Sequence, residues 1–295
     1  LERLHPQLVT AESPTQRVGM APSAGFVKVE HSVPLLSLGN VFNYPALEAW
    51  HLRVQRLLDR SSFDMVCELK IDGLAVALSY EEGDLIRGAT RGDGVLGEDV
   101  TFNLRAIDTV PLYVERDYSP RKFEVRGEVY FPKSGFDRLN DERVVHGNTP
   151  YSNARNAAAG SLRQLNPKLA ALRHLNIFVY GLGYAEEGNL PENHIEVLEQ
   201  LNTLGFRTNP SNVICRTMKD VEEYYQKFLL EKDTLDYDVD GVVVKVNSLI
   251  YQQHLGVVGR EPRWAIAYKF PAAQAVTRVV SIGINVGRTG SLNPY

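Results

Sequence analysis

The sequence predicts an α+β fold in which antiparallel β-sheets are flanked by helices, and three observations lead there. Two strand-like runs, 63–71 (FDMVCELKI) and 74–80 (LAVALSY), meet at Asp72-Gly73, a pair that favours a tight hairpin turn. Leu47, Trp50, Val54, Leu57 and Leu58 repeat at three and four residues behind Asn43 and Pro45, which is the pattern of an amphipathic helix laid over a sheet. Strand and helix signals then alternate without the regular βαβ spacing of a parallel sheet.

In chain order, residues 1–40 are rich in Pro, Ser and Gly and read as an extended arm lying on the body. Strand signals fill 63–91 and 122–131, helix signals 98–107 and 132–145, and an alanine-rich helical segment follows at 153–165. Residues 176–183 (NIFVYGLG) form a strand ending in glycines. Helices are expected over 191–204 and 217–232, the second opened by Thr217 with Asp220 three residues on, close to a capping box. The stretch 239–287 returns to strands, with Val276, Val279, Val280, Ile282, Ile284 and Val286 leading to Gly287-Arg288-Thr289-Gly290. The domain expectation is an arm at 1–40, a main domain at 41–272 and the start of another at 273–295.

With 295 residues and 44% apolar residues the chain has enough material for a sizeable core. No apolar run approaches the ~20 residues of a membrane span, and the first residues lack a signal core, so a cytoplasmic protein is expected. Leu1 in place of an initiator methionine leads us to expect a piece of a longer chain. Cys67 and Cys215 lack CxxC spacing, which fits reduced structural thiols and excludes a zinc site built from cysteine pairs. The seven histidines form no zincin pattern, and His31 and His254 receive no role. A net charge of −4 is unusual for a nucleic-acid-binding module working alone.

The chemistry-bearing residues stand at strand ends and in glycine turns. Lys70 closes the polar end of an apolar strand, where it is either a solvated lysine beside a turn or a nucleophile. As a nucleophile it would need nearby cations or desolvation, because a free lysine titrates near pH 10.4. Glu128 ends the run FEVRGEVYF. It reads as a carboxylate paired with Arg126 or as a group that holds a ribose hydroxyl or a divalent ion, and because alternation places 126 and 128 on the same face the two readings can coexist. Lys245 closes a β-branched run that demands burial, so it needs an anionic partner or ligand, and the same holds for Lys269. Asp240 is either a second carboxylate near a metal or a turn former before Gly241. Arg155 and Arg163 are eight positions apart on a helix, about 80° apart in projection, and either track phosphates or form a solvated face. Gly92-Asp93-Gly94-Val95-Leu96-Gly97 matches a dinucleotide fingerprint, but no βαβ unit surrounds it, and there is no Walker A sequence.

The ordered series ELKIDG at 68–73, TRGDG at 90–94, VRGEV at 125–129, DVDGVVVK at 238–245 and WAIAYKF at 264–270 resembles the covalent nucleotidyltransferase motifs of DNA ligases and mRNA-capping enzymes. The segment 152–164 (SNARNAAAGSLRQ), with the sequences around Lys70 and Lys245, looks like the adenylation domain of bacterial NAD-dependent DNA ligases. That resemblance implies the nucleotidyltransferase fold. It makes Lys70, Asp72 and Lys269 catalytic, and implies that Glu68 and Lys245 read adenine, that Tyr180 stacks on it rather than serving only as core, and that Arg91 and Glu128 hold the ribose. It also implies that Glu128 places magnesium and that Arg155 and Arg163 touch DNA. NAD would be the AMP donor, magnesium the ion on its phosphates, and nicked double-stranded DNA the partner of a longer, monomeric enzyme. Zinc would belong only to a finger beyond Tyr295, and residues 273–295 would begin an OB-fold. By itself this chain is expected to bind adenosine-type nucleotides, to label itself slowly with NAD and not to seal nicks. An ATP- or GTP-using ligase or capping enzyme would share the Lys-x-Asp-Gly motif, and a noncatalytic nucleotide-binding module would share the fold.

Overall fold

The structure is a computed structural model that describes residues 25–188, 190–272, 278–287 and 290–294. In chain order these form β1 (Lys28–Glu30), β2 (Gly39–Val41), α1 (Tyr44–Leu58), β3 (Met65–Ile71), β4 (Leu74–Glu81), β5 (Asp84–Thr90), β6 (Leu96–Glu98) and α2 (Thr101–Arg105). Then come β7 (Lys122–Tyr130), α3 (Lys133–Val145), α4 (Ala154–Leu162), α5 (Pro167–Ala171), β8 (Asn176–Glu186), α6 (His194–Thr203), β9 (Val213–Cys215) and α7 (Met218–Glu231). The remainder is β10 (Val239–Val246), α8 (Leu249–Leu255), β11 (Val257–Val258), β12 (Glu261–Pro262), β13 (Ala265–Lys269), β14 (Ile284–Val286) and β15 (Leu292–Pro294).

Two sheets organise the body. One has five strands in the order β2-β13-β10-β3-β9, and the other has four in the order β5-β4-β7-β8. Every pairing in them is antiparallel except β13 with β2, so the expectation of antiparallel sheets holds with that one exception. The α+β class is as the sequence predicts.

The hairpin expected at Asp72-Gly73 does not form. β3 belongs to the five-stranded sheet and β4 to the four-stranded one, so these two residues are a corner where the chain crosses between sheets. A Cβ on Gly73 would stand 2.2 Å from the Val129 carbonyl oxygen, so a glycine is needed for the two backbones to pass this closely. The two-residue hairpin lies one strand later, at Glu82 and Gly83, whose φ angles of 50° and 85° suit a primed turn.

Each sheet has its own core. Val76, Leu78, Tyr80, Phe123, Val125, Ile177 and Val179 from the four-stranded sheet pack with α2, α4 and α6, centred on a buried cluster of Tyr80, Phe123 and Phe206. Met65, Cys67, Leu69, Val242, Val244, Ile266 and Tyr268 from the other sheet pack against α1 and α7. Asn43 caps α1 by accepting from Ala46 N, and Thr217 with Asp220 closes a full capping box on α7. Both cysteines are free and buried, in keeping with structural thiols.

Other differences from expectation are local. The helix read over 98–107 shortens to α2 because 96–98 pair with β1. α5, β9 and the α8 turn inside 239–287 carried no clear sequence signal. Within 25–40, His31 N donates to Val95 O and Leu35 N to Gly94 O. Residues 1–24, Val276, Arg288 and Thr289 lie outside the described residues. Among the described residues no helix is long and apolar enough to cross a membrane.

Candidate active site

Period-two alternation builds a charged cavity between the two sheets. On β3 the residues Cys67, Leu69 and Ile71 face the core, so Glu68 and Lys70 face the other way. On β10 Val242, Val244 and Val246 face the core and Lys245 faces the gap, and on β13 Ile266 and Tyr268 do the same for Lys269. From the opposite sheet, Val125 and Val129 point into their core while Arg126 and Glu128 point back, and Ile177 and Val179 do so for Tyr180. Glu68, Lys70, Arg91, Glu128, Tyr180, Lys245 and Lys269 thereby line one cavity of about 1240 Å³, which Arg155 and Arg163 border from the α4 side.

Asp240 departs from this alternation, and the departure matters. The β10–β3 register shifts between Val239 and Gly241, so Asp240 is the extra residue of a β-bulge. The bulge turns a side chain that would otherwise share the core face of Val242 toward the cavity. There its carboxylate lies 3.3 Å from Lys70 Nζ and also pairs with Lys269 Nζ. Gly241 permits the bulge, since a Cβ there would stand 2.4 Å from Tyr268 O. Asp240 is thus a strand residue and not a turn former. A glycine inside an otherwise β-branched strand was the available signal.

Deeper in, Glu68, His194 and Lys245 form a buried cluster with side chains only 6%, 7% and 8% exposed. Glu68 Oε1 is 2.7 Å from both His194 Nε2 and Lys245 Nζ, and Lys245 also donates to the Tyr180 carbonyl at 3.0 Å. Burial alone would push the Glu68 carboxyl up, but Lys245 and His194 outweigh it and hold the group below the ordinary carboxylate range. The ring of His194 is pushed down by burial and by Lys245, against the pull of Glu68. His194 was missed in the sequence, because a lone histidine at the start of a helix carries no spacing signal.

Glu128 does not pair with Arg126. Arg126 bonds Glu124 Oε1 at 3.3 Å and the Val33 carbonyl at 2.8 Å, so of the two carboxylates that alternation puts on its face it takes Glu124. Burial pushes the Glu128 carboxyl up to about 7, against the opposing charges of Lys70, Arg155 and Arg91. Burial likewise raises the Tyr180 hydroxyl, helped by Glu128, and Lys245 Nζ sits 5.4 Å from the centre of the Tyr180 ring. Asp72 accepts from Arg155 Nη1 at 3.0 Å, and Arg163 bonds Glu98 at 2.7 Å. Arg91 lines the cavity. The glycine-rich 92–97 loop is folded by the Asp93 carboxylate, which accepts from Val95 N and Leu96 N, and it leads into an antiparallel strand and not into a βαβ helix.

Cations gathered around one lysine, with a buried carboxylate and an aromatic ring behind it, are groups that can meet phosphate charge and a flat polar ring. The sequence profile of the NAD-dependent DNA ligase adenylation domain matches residues 23–273, and the chain belongs to that family. It is 56% identical to a DNA ligase of Dehalococcoides mccartyi over all 295 residues, which is 43% of that protein. It is also 48% identical to a DNA ligase of Nitrosococcus oceani, covering 44% of it. The chain therefore spans less than half the length of the curated relatives it matches. Among solved structures, the ATP-dependent DNA ligase of bacteriophage T7 in complex with ATP matches 88% of this chain and 80% of its own, at 13% identity and a TM-score of 0.40.

Proposed function

We propose that this chain performs the self-adenylation step of an NAD-dependent DNA ligase. The observation that carries the reading is Lys70 on the cavity face of β3, with Lys269 beside it and Asp240 between the two. NAD would enter with its adenine against Glu68 and Lys245, its base on Tyr180 and its ribose near Arg91 and Glu128. Lys70, as a free amine, attacks the α-phosphorus. The N–P bond forms, the bridging P–O bond to nicotinamide mononucleotide breaks, and that mononucleotide leaves as a phosphate monoester. Asp240 is the nearest anion to accept the proton from Lys70, and Lys269 is the cation placed to offset charge growing on the phosphoryl oxygens.

Magnesium fits this donor set poorly as a protein-held ion. Among the described residues no group of three or more His, Cys, Asp or Glu side chains converges as a metal site. Asp240 is engaged by two ammonium groups, Asp72 by Arg155, and Glu128 would have to surrender a proton near neutral pH. Glu128 as a magnesium ligand stays a proposal, and no step above needs the ion.

In a longer protein the AMP would pass to the 5′-phosphate of a nicked double-stranded DNA, with Arg155 and Arg163 toward the phosphates, and the 3′-hydroxyl would displace it. This chain alone is expected to label slowly and to seal nothing. The test is intact mass after incubation with magnesium and either NAD or ATP. A gain of about 329 Da with NAD alone, absent in Lys70→Ala, is expected. Equal labelling with ATP would shift the reading to an ATP-using ligase, and AMP binding without any adduct would shift it to a noncatalytic module.

A further inference from the structure

The Glu68, His194 and Lys245 cluster contains one residue that the proposed reaction does not use. We infer that His194 is a positioning residue for base selection, holding Glu68 and Lys245 so that the pair accepts a 6-aminopurine and rejects a 6-oxopurine. This inference rests on the reading that Glu68 and Lys245 face the base.

His194 opens α6, where the positive end of the helix disfavours a charged ring, and burial and Lys245 act in the same direction. A neutral imidazole has one N–H, and the atom 2.7 Å from the carboxylate of Glu68 is Nε2, so the proton sits on Nε2 and is donated to Oε1. The 3.1 Å approach of Lys245 Nζ to Nε2 then brings two donors together and is no hydrogen bond. Lys245 spends one N–H on Glu68 Oε1 and a second on the Tyr180 carbonyl, which leaves its third. Oε1 is filled by two donors, while Oε2 takes no hydrogen bond from the described residues. What remains for a ligand is one acceptor, Glu68 Oε2, beside one donor, on Lys245. Adenine presents the complement in its 6-amino group and ring N1. Hypoxanthine and guanine present the reverse, a 6-oxo acceptor and an N1–H donor, and would leave both protein groups mismatched. Without the Nε2–H donor the Glu68 carboxylate is free to turn and divide its oxygens differently, and the pattern is lost.

The experiment measures AMP and IMP affinity by titration calorimetry on this chain, with folding followed by circular dichroism. His194→Leu, which removes the donor, is expected to weaken AMP about tenfold to a hundredfold, the loss of one hydrogen bond to a charged group, while IMP changes by less than about threefold. His194→Gln, whose amide N–H2 reaches the position of Nε2, is expected to restore the AMP-to-IMP ratio to within about threefold of wild type. His194→Asn places its amide short of Glu68 and gives the same test as leucine in a side chain that stays polar, should the leucine variant not fold. An unchanged ratio in His194→Leu or His194→Asn, or equal weakening of both nucleotides, would overturn the inference. Glu68→Gln separates the two levels. If it narrows the ratio while the His194 variants do not, only the role of His194 fails. If it also leaves the ratio unchanged, the adenine reading of the pocket fails.

Discussion

Replacing Glu128 by glutamine should stabilise the protein above neutral pH while disarming the pocket. The folded carboxyl titrates at about 7 because burial between the sheets outweighs Lys70, Arg155 and Arg91, whereas the unfolded one titrates near 4.5. Below pH 4.5 the group is protonated in both states and contributes nothing. From there to about pH 7 the unfolded chain ionises and the folded one resists, so stability falls as pH rises and the deficit is constant above pH 7. At about 1.36 kcal/mol per pH unit the gross deficit is about 3 kcal/mol, and water in the open cavity reduces it to roughly 1–2 kcal/mol. Glutamine has the shape of the protonated acid and escapes the deficit. Urea unfolding at pH 5, 6, 7 and 8 should therefore show a small Glu128→Gln advantage at pH 5, about a quarter of the full effect, growing to roughly 1–2 kcal/mol at pH 8. Labelling with NAD should be lost in the same variant. A difference that stays constant across this range, or a variant less stable than wild type at pH 8, would refute the assignment of a neutral, desolvated Glu128.

Gly73→Ala places a Cβ 2.2 Å from the Val129 carbonyl, so a loss of roughly 1–3 kcal/mol in the same urea assay is expected, with weaker labelling because Lys70 and Asp72 flank the corner. Thr217→Ala removes one arm of the α7 capping box and should cost about 1 kcal/mol without altering AMP affinity. Arg163→Ala breaks an ion pair whose partners are 54% and 29% exposed, so the melting temperature should barely move. In a longer protein the same change should weaken nicked-duplex binding and reduce its salt slope by about 1, measured by titration at several salt concentrations.

How much could be read in advance followed the range of the determining contacts. Helix starts at Asn43 and Thr217 were legible because a cap bonds a backbone group two or three residues away. Lys70, Lys245 and Lys269 were legible because each charge closes an apolar run and burial there demands a partner, whereas Glu68 was reached only through the resemblance. The corner at Asp72-Gly73 was misread because Asp-Gly fits a hairpin equally well, and only the distant Val129 backbone decides between the two. Of the two readings of Glu128, pairing with Arg126 does not hold, because Glu124 shares the same face and sequence gives no ranking between the two carboxylates. The Asp240 bulge and the His194 contact depend on register between strands and helices far apart in the chain, which no local pattern encodes.

Lys70 and Asp240 are 170 positions apart. Loop closure on that scale is slow, and β10 must pair with β3 within the five-stranded sheet before its bulge can bring Asp240 to Lys70. The ion pair of Lys70 with Asp240 therefore depends on a long-range strand pairing. On the proposed reaction, a nascent chain that lacks residues 240–269 would carry Lys70 without Asp240 and Lys269, and labelling would wait for the C-terminal strands.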